Sequence, residues 1–346
     1  MQNTNRARRL KRARQRIIAR TAMLSLITLA CATLLTVSIV GLSNQDSEIF
    51  TKPPEETNSF DATPNATFTP APSTSAPYVG GELTPLRTPS AMFNNLIDPN
   101  GHTVSTRFKV PDGFKRVELQ EGSFGEYLRE LELFPDGERL YFWDGKICDN
   151  PAHAAILKRN MPKKYEQCAD TVIGLYADYL YKNKQYDKLV FTFNNGFVCD
   201  FKHFTQGLRP NKDANGWESS PDYWKGNDER VFKVFLDYVF LYANTASLFE
   251  NELKKVDIND ISVGDVFVTP GFPGHIVLIC DMIKNPQIGE VRFMTLQGSM
   301  PALQPHIMLN AHEPEMSPWQ NTRFENDVFL SATGWFCPTQ NLMRFK

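Results

Sequence analysis

No two of the six cysteines form a CxxC pair, and no cysteine and histidine stand at zinc-site spacing. The chain also has no Walker A loop, no GxGxxG after a strand and no GxSxG elbow. AHEPE at 311–315 is not HExxH, because Pro314 would break the helix that motif requires. These absences set aside nucleotide and dinucleotide chemistry, the elbow-type serine hydrolases and the helical zinc peptidases. No cofactor and no metal are expected. Of the six histidines, His102, His153 and His203 stand in polar contexts and read as surface residues, while His306 and His312 are candidates for a pocket.

Acidic side chains are missing from residues 1–20, where eight basic ones fall between Arg6 and Arg20. Removing those eight from the 37 basic residues leaves 29 against 39 acidic ones, a surplus of about ten negative charges on the remainder. An acidic body argues against nucleic acid as partner. Charge is then absent altogether from the 22 residues Thr21 to Leu42. At a rise of roughly 1.5 Å per residue they span about 33 Å, enough for a bilayer core of about 30 Å. The expectation is a single-pass anchor at 21–42, with a basic cytoplasmic segment at 1–20 and everything after residue 43 outside. The alternative is a cleaved signal peptide, for which Gly41-Leu42-Ser43 is a passable site. Residues 43–83, rich in Pro, Ser and Thr, read as an extended linker, because such composition cannot bury enough surface to offset chain entropy.

From residue 84 to 346 the texture is that of one globular domain. Hydrophobic content of 42% and aromatic content of 12% supply a core. Asp144-Gly145 and Asn195-Gly196, each between apolar runs, predict hairpins. Ser123 caps a short amphipathic helix in SFGEYLRELEL. YEQCADTVIGLYADYLYKNKQYD predicts a helix of about fifteen residues starting near Glu166, with Cys168, Val172, Leu175 and Tyr179 on one face. ERVFKVFLDYVFLYANTASLFENEL reads as a second long helix, and GDVFV, HIVLICDMI and EVRFMTLQG read as strands. Helices before a run of strands predict an α+β fold with a mostly antiparallel sheet. The five cysteines beyond the anchor are expected to be reduced and buried as readily as bridged.

One arrangement in this body can carry chemistry: Cys168 at a helix start, His275 at a strand start, and Gln297 on the next strand. Cysteine hydrolysis needs a thiolate, a base and a group that orients the base. A helix N-terminus lowers a thiol pKa, so Cys168 is expected to ionise near neutral pH with His275 as its base. Gln297 is the orienting group, with Asp281 as the alternative. The loop PGFPG at 270–274 is expected to wall a cleft, and Gly274 to leave room for a substrate backbone. The plain alternatives are a core cysteine on an apolar stripe and a histidine that bonds a loop carbonyl.

The order Cys168, Gly264-Asp265-Val266-Phe267, His275, Gln297 resembles the papain-like superfamily, in particular the bacterial cell-wall cysteine peptidases of the NlpC/P60 type. The resemblance covers roughly residues 165–300, with an insertion from about 185 to 260. It implies an antiparallel sheet with a cysteine-bearing helix packed on it, and a peptide or peptidoglycan-like substrate. TVSTRFKVPDGFKRV, GSFGEYLRELEL, QCADTVIGLYADYLY, FNNGF, GDVFVTPGFPGH and LQGSMPA are similar to a family of bacterial exported proteins known only as a domain of unknown function. Two functions follow: a membrane-anchored extracytoplasmic cysteine hydrolase, or a non-catalytic envelope-binding domain with Trp217, Trp224 and Trp319 as contacts. On either reading, protease added to spheroplasts should digest residues 100–346. Survival of that region while a periplasmic control is degraded would reverse the orientation.

Overall fold

The computed structural model describes residues 95–149, 152–271, 274–324, 328–331, 333 and 335–346. The expected basic segment, membrane anchor and linker at 1–83 lie outside these residues. No helix among those described is long and apolar enough to cross a membrane.

The architecture follows from β4 (His275–Lys284), ten residues of which the first nine are buried. A strand buried on both faces needs neighbours on both edges and layers on both sides. Along its edges run β3 (Val266–Thr269) and β5 (Val291–Gln297), both antiparallel to it. Beyond β5 lie β6 (His306–Met308) and then β1 (His153–Ile156); beyond β3 lie β7 (Leu342–Phe345) and then β2 (Leu253–Lys255). Short strands Lys115–Arg116 and Gln320–Asn321 pair with the far ends of β4 and β5, completing nine strands in this sheet among the described residues. The class is α+β, and the three strands read from sequence are neighbours as expected.

Alternation along β3 separates the two layers. Phe267, opposite Val277 and Leu342, points one way, and Val266, opposite Leu278 and Met343, points the other. On the Phe267 side a hairpin (Val328–Leu330 with Phe336–Pro338) sets Phe329 against Phe267, ring centroids 5.0 Å apart. On the other side lie α1 (Phe124–Arg129) and α2 (Cys168–Lys182), with Tyr176 stacked on Phe345 at 3.8 Å. Ser123 caps α1 as predicted, its hydroxyl accepting from the Glu126 N–H at 3.2 Å. The stripe of α2 is core at Val172 and Leu175, both fully buried.

Two buried carboxylates fasten this arrangement. Asp281, 0% exposed, accepts from Arg116 Nε at 2.7 Å and Arg129 Nε at 2.8 Å, which ties β4 to both the N-terminal segment and α1. Asp265 of the GDVFV motif pairs with Arg344 Nε at 2.6 Å, locking β7 onto β3, while Gly264 enters the strand at φ +96°.

The second long helix is shorter than its sequence suggests. α3 (Glu229–Tyr242) stops at Ala243, and a separate turn, Thr245–Ser247, begins under an Asn244 cap. The Asn244 side chain accepts from the Ala246 and Ser247 N–H groups, so one asparagine restarts the chain within an apolar run. Both hairpin turns form: Gly145 and Gly196 take φ +79° and +85°. All five cysteines in this region are free thiols, four buried and Cys148 half-buried. Trp319 is fully buried, its Nε1–H donating to the Lys109 carbonyl, which removes it from the expected surface contacts.

Leu175→Ala should cost on the order of 2–5 kcal/mol in urea unfolding, the range for a buried leucine truncation. A loss below about half a kcal/mol would show that α2 does not rest on the sheet through this face.

Candidate functional site

Cys168 is the first residue of α2. The helix start is fixed by Asp170, whose carboxylate accepts from the Gln167 N–H at 2.8 Å. It is fixed a second time by Gly298, just past β5. A Cβ built there would stand 2.2 Å from Thr171 Oγ1 and 3.2 Å from the Gln167 carbonyl, so the strand end packs directly against the Thr171 side chain and the first helical turn. This contact sets the thiol beside the start of β4, where the Ile276 N–H faces the sulfur, together with the N–H groups of Ala169 and Cys168 itself. His275 is the residue before Ile276.

Gln297 ends β5, directly opposite His306 of β6. Its side chain bridges two imidazoles: Oε1 lies 2.8 Å from His275 Nε2, and Nε2 lies 3.3 Å from His306 Nε2. His306 Nδ1 in turn lies 2.8 Å from the Gln304 carbonyl. All three side chains are 3% exposed or less. The structure therefore joins His275 to Gln297 and brings Cys168 to the adjoining residue. It adds His306, read only as a pocket candidate, and His153, expected at the surface but buried in β1 with its ring 6.3 Å from that of His306. The signal for both was a lone polar side chain in a short apolar strand, HAAI and HIM. His312 and His102 are exposed, and His203 is held by Asp200 and stacked on Trp217 at 4.2 Å. Among the described residues no three metal-ligating side chains gather.

Several expectations are corrected. Asp281 is not an alternative orienting group, since both arginines hold it at the other end of β4. Cys168 is not acidified: burial pushes its thiol up to about 11, the Asp170 charge adds to this, and the facing N–H groups only offset part of it. Nor do the described residues leave an open cleft at Cys168 and His275. Cys168 is 6% exposed, and Trp335 stacks on the His275 ring at 4.9 Å. A groove of about 780 Å³ runs along the neighbouring face of α2, past Glu166, Asp170 and Thr171, and its lining includes neither Cys168 nor His275. The space at Gly274 is filled by the protein itself, a Cβ there standing 2.2 Å from Thr245 Oγ1 and 2.5 Å from the Gly271 carbonyl. Phe272 and Pro273 of the expected cleft wall lie outside the described residues.

Burial governs the histidines too. It lowers His275, with the Gln297 bond opposing, and pushes His306 down to about 4, against the Gln304 carbonyl bond and helped by His153 and His275. Both imidazoles are neutral near pH 7. The thiol and the imidazole are thus both held in their neutral forms, with the sulfur facing the N–H of the residue that follows His275.

A family model described as a domain of unknown function (4846) matches residues 104–344. No curated protein and no solved structure matches the chain.

The low value at His306 has a signed consequence for stability. A histidine depressed on folding stabilises fully above the unfolded pKa of about 6.5, and that contribution is lost as pH falls towards 4. Over this window the loss is on the order of 3 kcal/mol, and His275 shifts in the same direction. The carboxyls of Asp170 and Asp265, raised by burial, slope the opposite way, so the difference from a variant is the readout. The stability of His306→Gln should fall less steeply between pH 6.5 and 4 than that of the wild type in urea titrations. Parallel curves would show that His306 is not the titrating group.

Proposed function

The chain belongs to the family of that domain of unknown function, and on that premise, with no activity attached to it, we propose a cysteine hydrolase acting on peptide or amide bonds. The observation that carries the reading is the bond between His275 Nε2 and Gln297 Oε1, made at the strand end where the Cys168 thiol meets the Ile276 N–H. The fold is then of the papain-like type, an antiparallel sheet with the cysteine-bearing helix packed on it. Its substrate is a peptide or a peptidoglycan-like amide outside the cytoplasmic membrane, with residues 21–42 as the anchor.

The chemistry uses the chain's own groups. Gln297 Oε1 holds the hydrogen on His275 Nε2, which leaves Nδ1 as the base. Nδ1 takes the thiol proton as the Cys168 sulfur bonds to the carbonyl carbon, and the oxyanion is met by N–H groups at the helix start. The C–N bond breaks as Nδ1 returns the proton to the leaving amine. Water, deprotonated by the same nitrogen, then hydrolyses the thioester and frees the thiol.

A second reading has its own support. The shielded thiol at about 11 and the indole on His275 suit a binding domain that keeps the geometry without turnover. Trp217 and Trp224 then serve as contacts, Trp224 being 52% exposed over Arg230.

Treating the full-length protein in mild detergent with a dipeptidyl vinyl sulfone separates the two. Labelling should fall on Cys168, disappear in Cys168→Ala, and slow by roughly a hundredfold or more in a folded His275→Ala, the range for loss of a general base. Labelling confined to the half-buried Cys148, or a Cys168 rate unchanged by His275→Ala, would establish the binding reading.

A further inference from the structure

We propose that His306 is a positioning residue that fixes which way the Gln297 amide faces, and thereby which ring nitrogen of His275 carries its hydrogen. Its purpose rests on the hydrolase reading, while its geometry stands apart from it.

The argument starts from an atom that can only accept. The Gln304 carbonyl lies 2.8 Å from His306 Nδ1, so that nitrogen must donate. Gln304 is itself clamped to Tyr141: its N–H donates to the Tyr141 carbonyl at 3.1 Å and its Oε1 accepts from the Tyr141 N–H at 2.9 Å. The carbonyl therefore has a fixed aim. With the hydrogen on Nδ1, a neutral His306 presents a bare Nε2 to Gln297. Only the amide nitrogen of Gln297 can donate there, at 3.3 Å, which turns Oε1 towards His275. Oε1 accepts only, so His275 Nε2 must carry the hydrogen at 2.8 Å and Nδ1 must be bare. One backbone carbonyl thus sets the polarity of three side chains in series, those of His306, Gln297 and His275.

The reverse orientation fails at one place. Turning the amide over would set Gln297 Oε1 against the bare His306 Nε2, lone pair against lone pair. Only a doubly protonated His306 would relieve this. Complete burial opposes that charge, and so do the two imidazoles facing it, His153 and His275. Given these ring positions, the direction in which the amide faces follows from bonding capacity alone.

The test is histidine nitrogen NMR on the full-length, deuterated chain, with the six rings assigned by single substitutions. The wild type should show hydrogen on Nε2 of His275 and on Nδ1 of His306. His306→Asn retains a group near the Gln304 carbonyl and loses the acceptor for Gln297; His306→Phe loses both. In whichever of these folds, the Nδ1–H form of His275 should become populated, and Cys168 labelling should slow by roughly tenfold or more, as for a weakened general base. His306→Gln, with an acceptor oxygen at similar reach, should restore both. Hydrogen found on Nε2 of His306 in the wild type overturns the proposal, and so does a pure Nε2–H form of His275 in a folded Asn or Phe variant. A tautomer shift with no change in Cys168 labelling upholds the relay and overturns the hydrolase reading instead.

Discussion

The contact between Gly298 and the first turn of α2 is the constraint on which the rest of the site depends. Strand end and helix start approach until nothing larger than hydrogen fits between Gly298 and Thr171. Because Cys168 belongs to that turn and Gln297 is the residue before Gly298, one close contact places both. The His275 ring follows from Gln297, and His306 from the β5–β6 register. The capping carboxylate of Asp170 acts on the same turn, but it aims the helix, while the glycine sets its distance from the sheet.

Burial gives this end of the sheet a different character from the opposite one. Around Asp281 and Asp265 the buried charges are each met by arginine, so the sheet is fastened there by ion pairs. Around Gln297 no full charge is opposed by its counterpart, and the groups are kept neutral. An unpaired buried polar group costs more than a satisfied bond gains, so a chain of neutral donors and acceptors is stable only when each member finds its partner. That makes this end a place where orientation, rather than charge, is specified.

Much of the scaffold was legible in the sequence because it rests on periodicity. The stripe Cys168, Val172, Leu175, Tyr179 and the β-branched run of β4 needed no tertiary information, nor did the glycine turns at 145 and 196. The break after Tyr242 was hidden because Asn244 sits inside a run whose apolar spacing continues past it. His153 was misplaced, and the part played by His306 hidden, for a different reason: their burial depends on pairing across the segment 298–305 and on a strand from more than a hundred residues earlier. The thiol was misjudged by magnitude. A helix terminus contributes typically about 0.3–1 kcal/mol, less than one pKa unit, whereas enclosure in an apolar core shifts a group by several. Spacing reports a helix start, but not how much protein lies over it.

The strand order also carries a consequence for the growing chain. The groups that meet at the end of β4 come from residues 168, 275, 297 and 306, and β7, contributed by residues 342–345, lies between β3 and β2. Contacts of such sequence separation form late, after a costly loop closure. While the chain is being made, Cys168 is therefore an ordinary thiol with none of these groups near it. Thiol and imidazole are first brought to one end of the sheet as it closes, so whatever reactivity the arrangement has is confined to finished molecules.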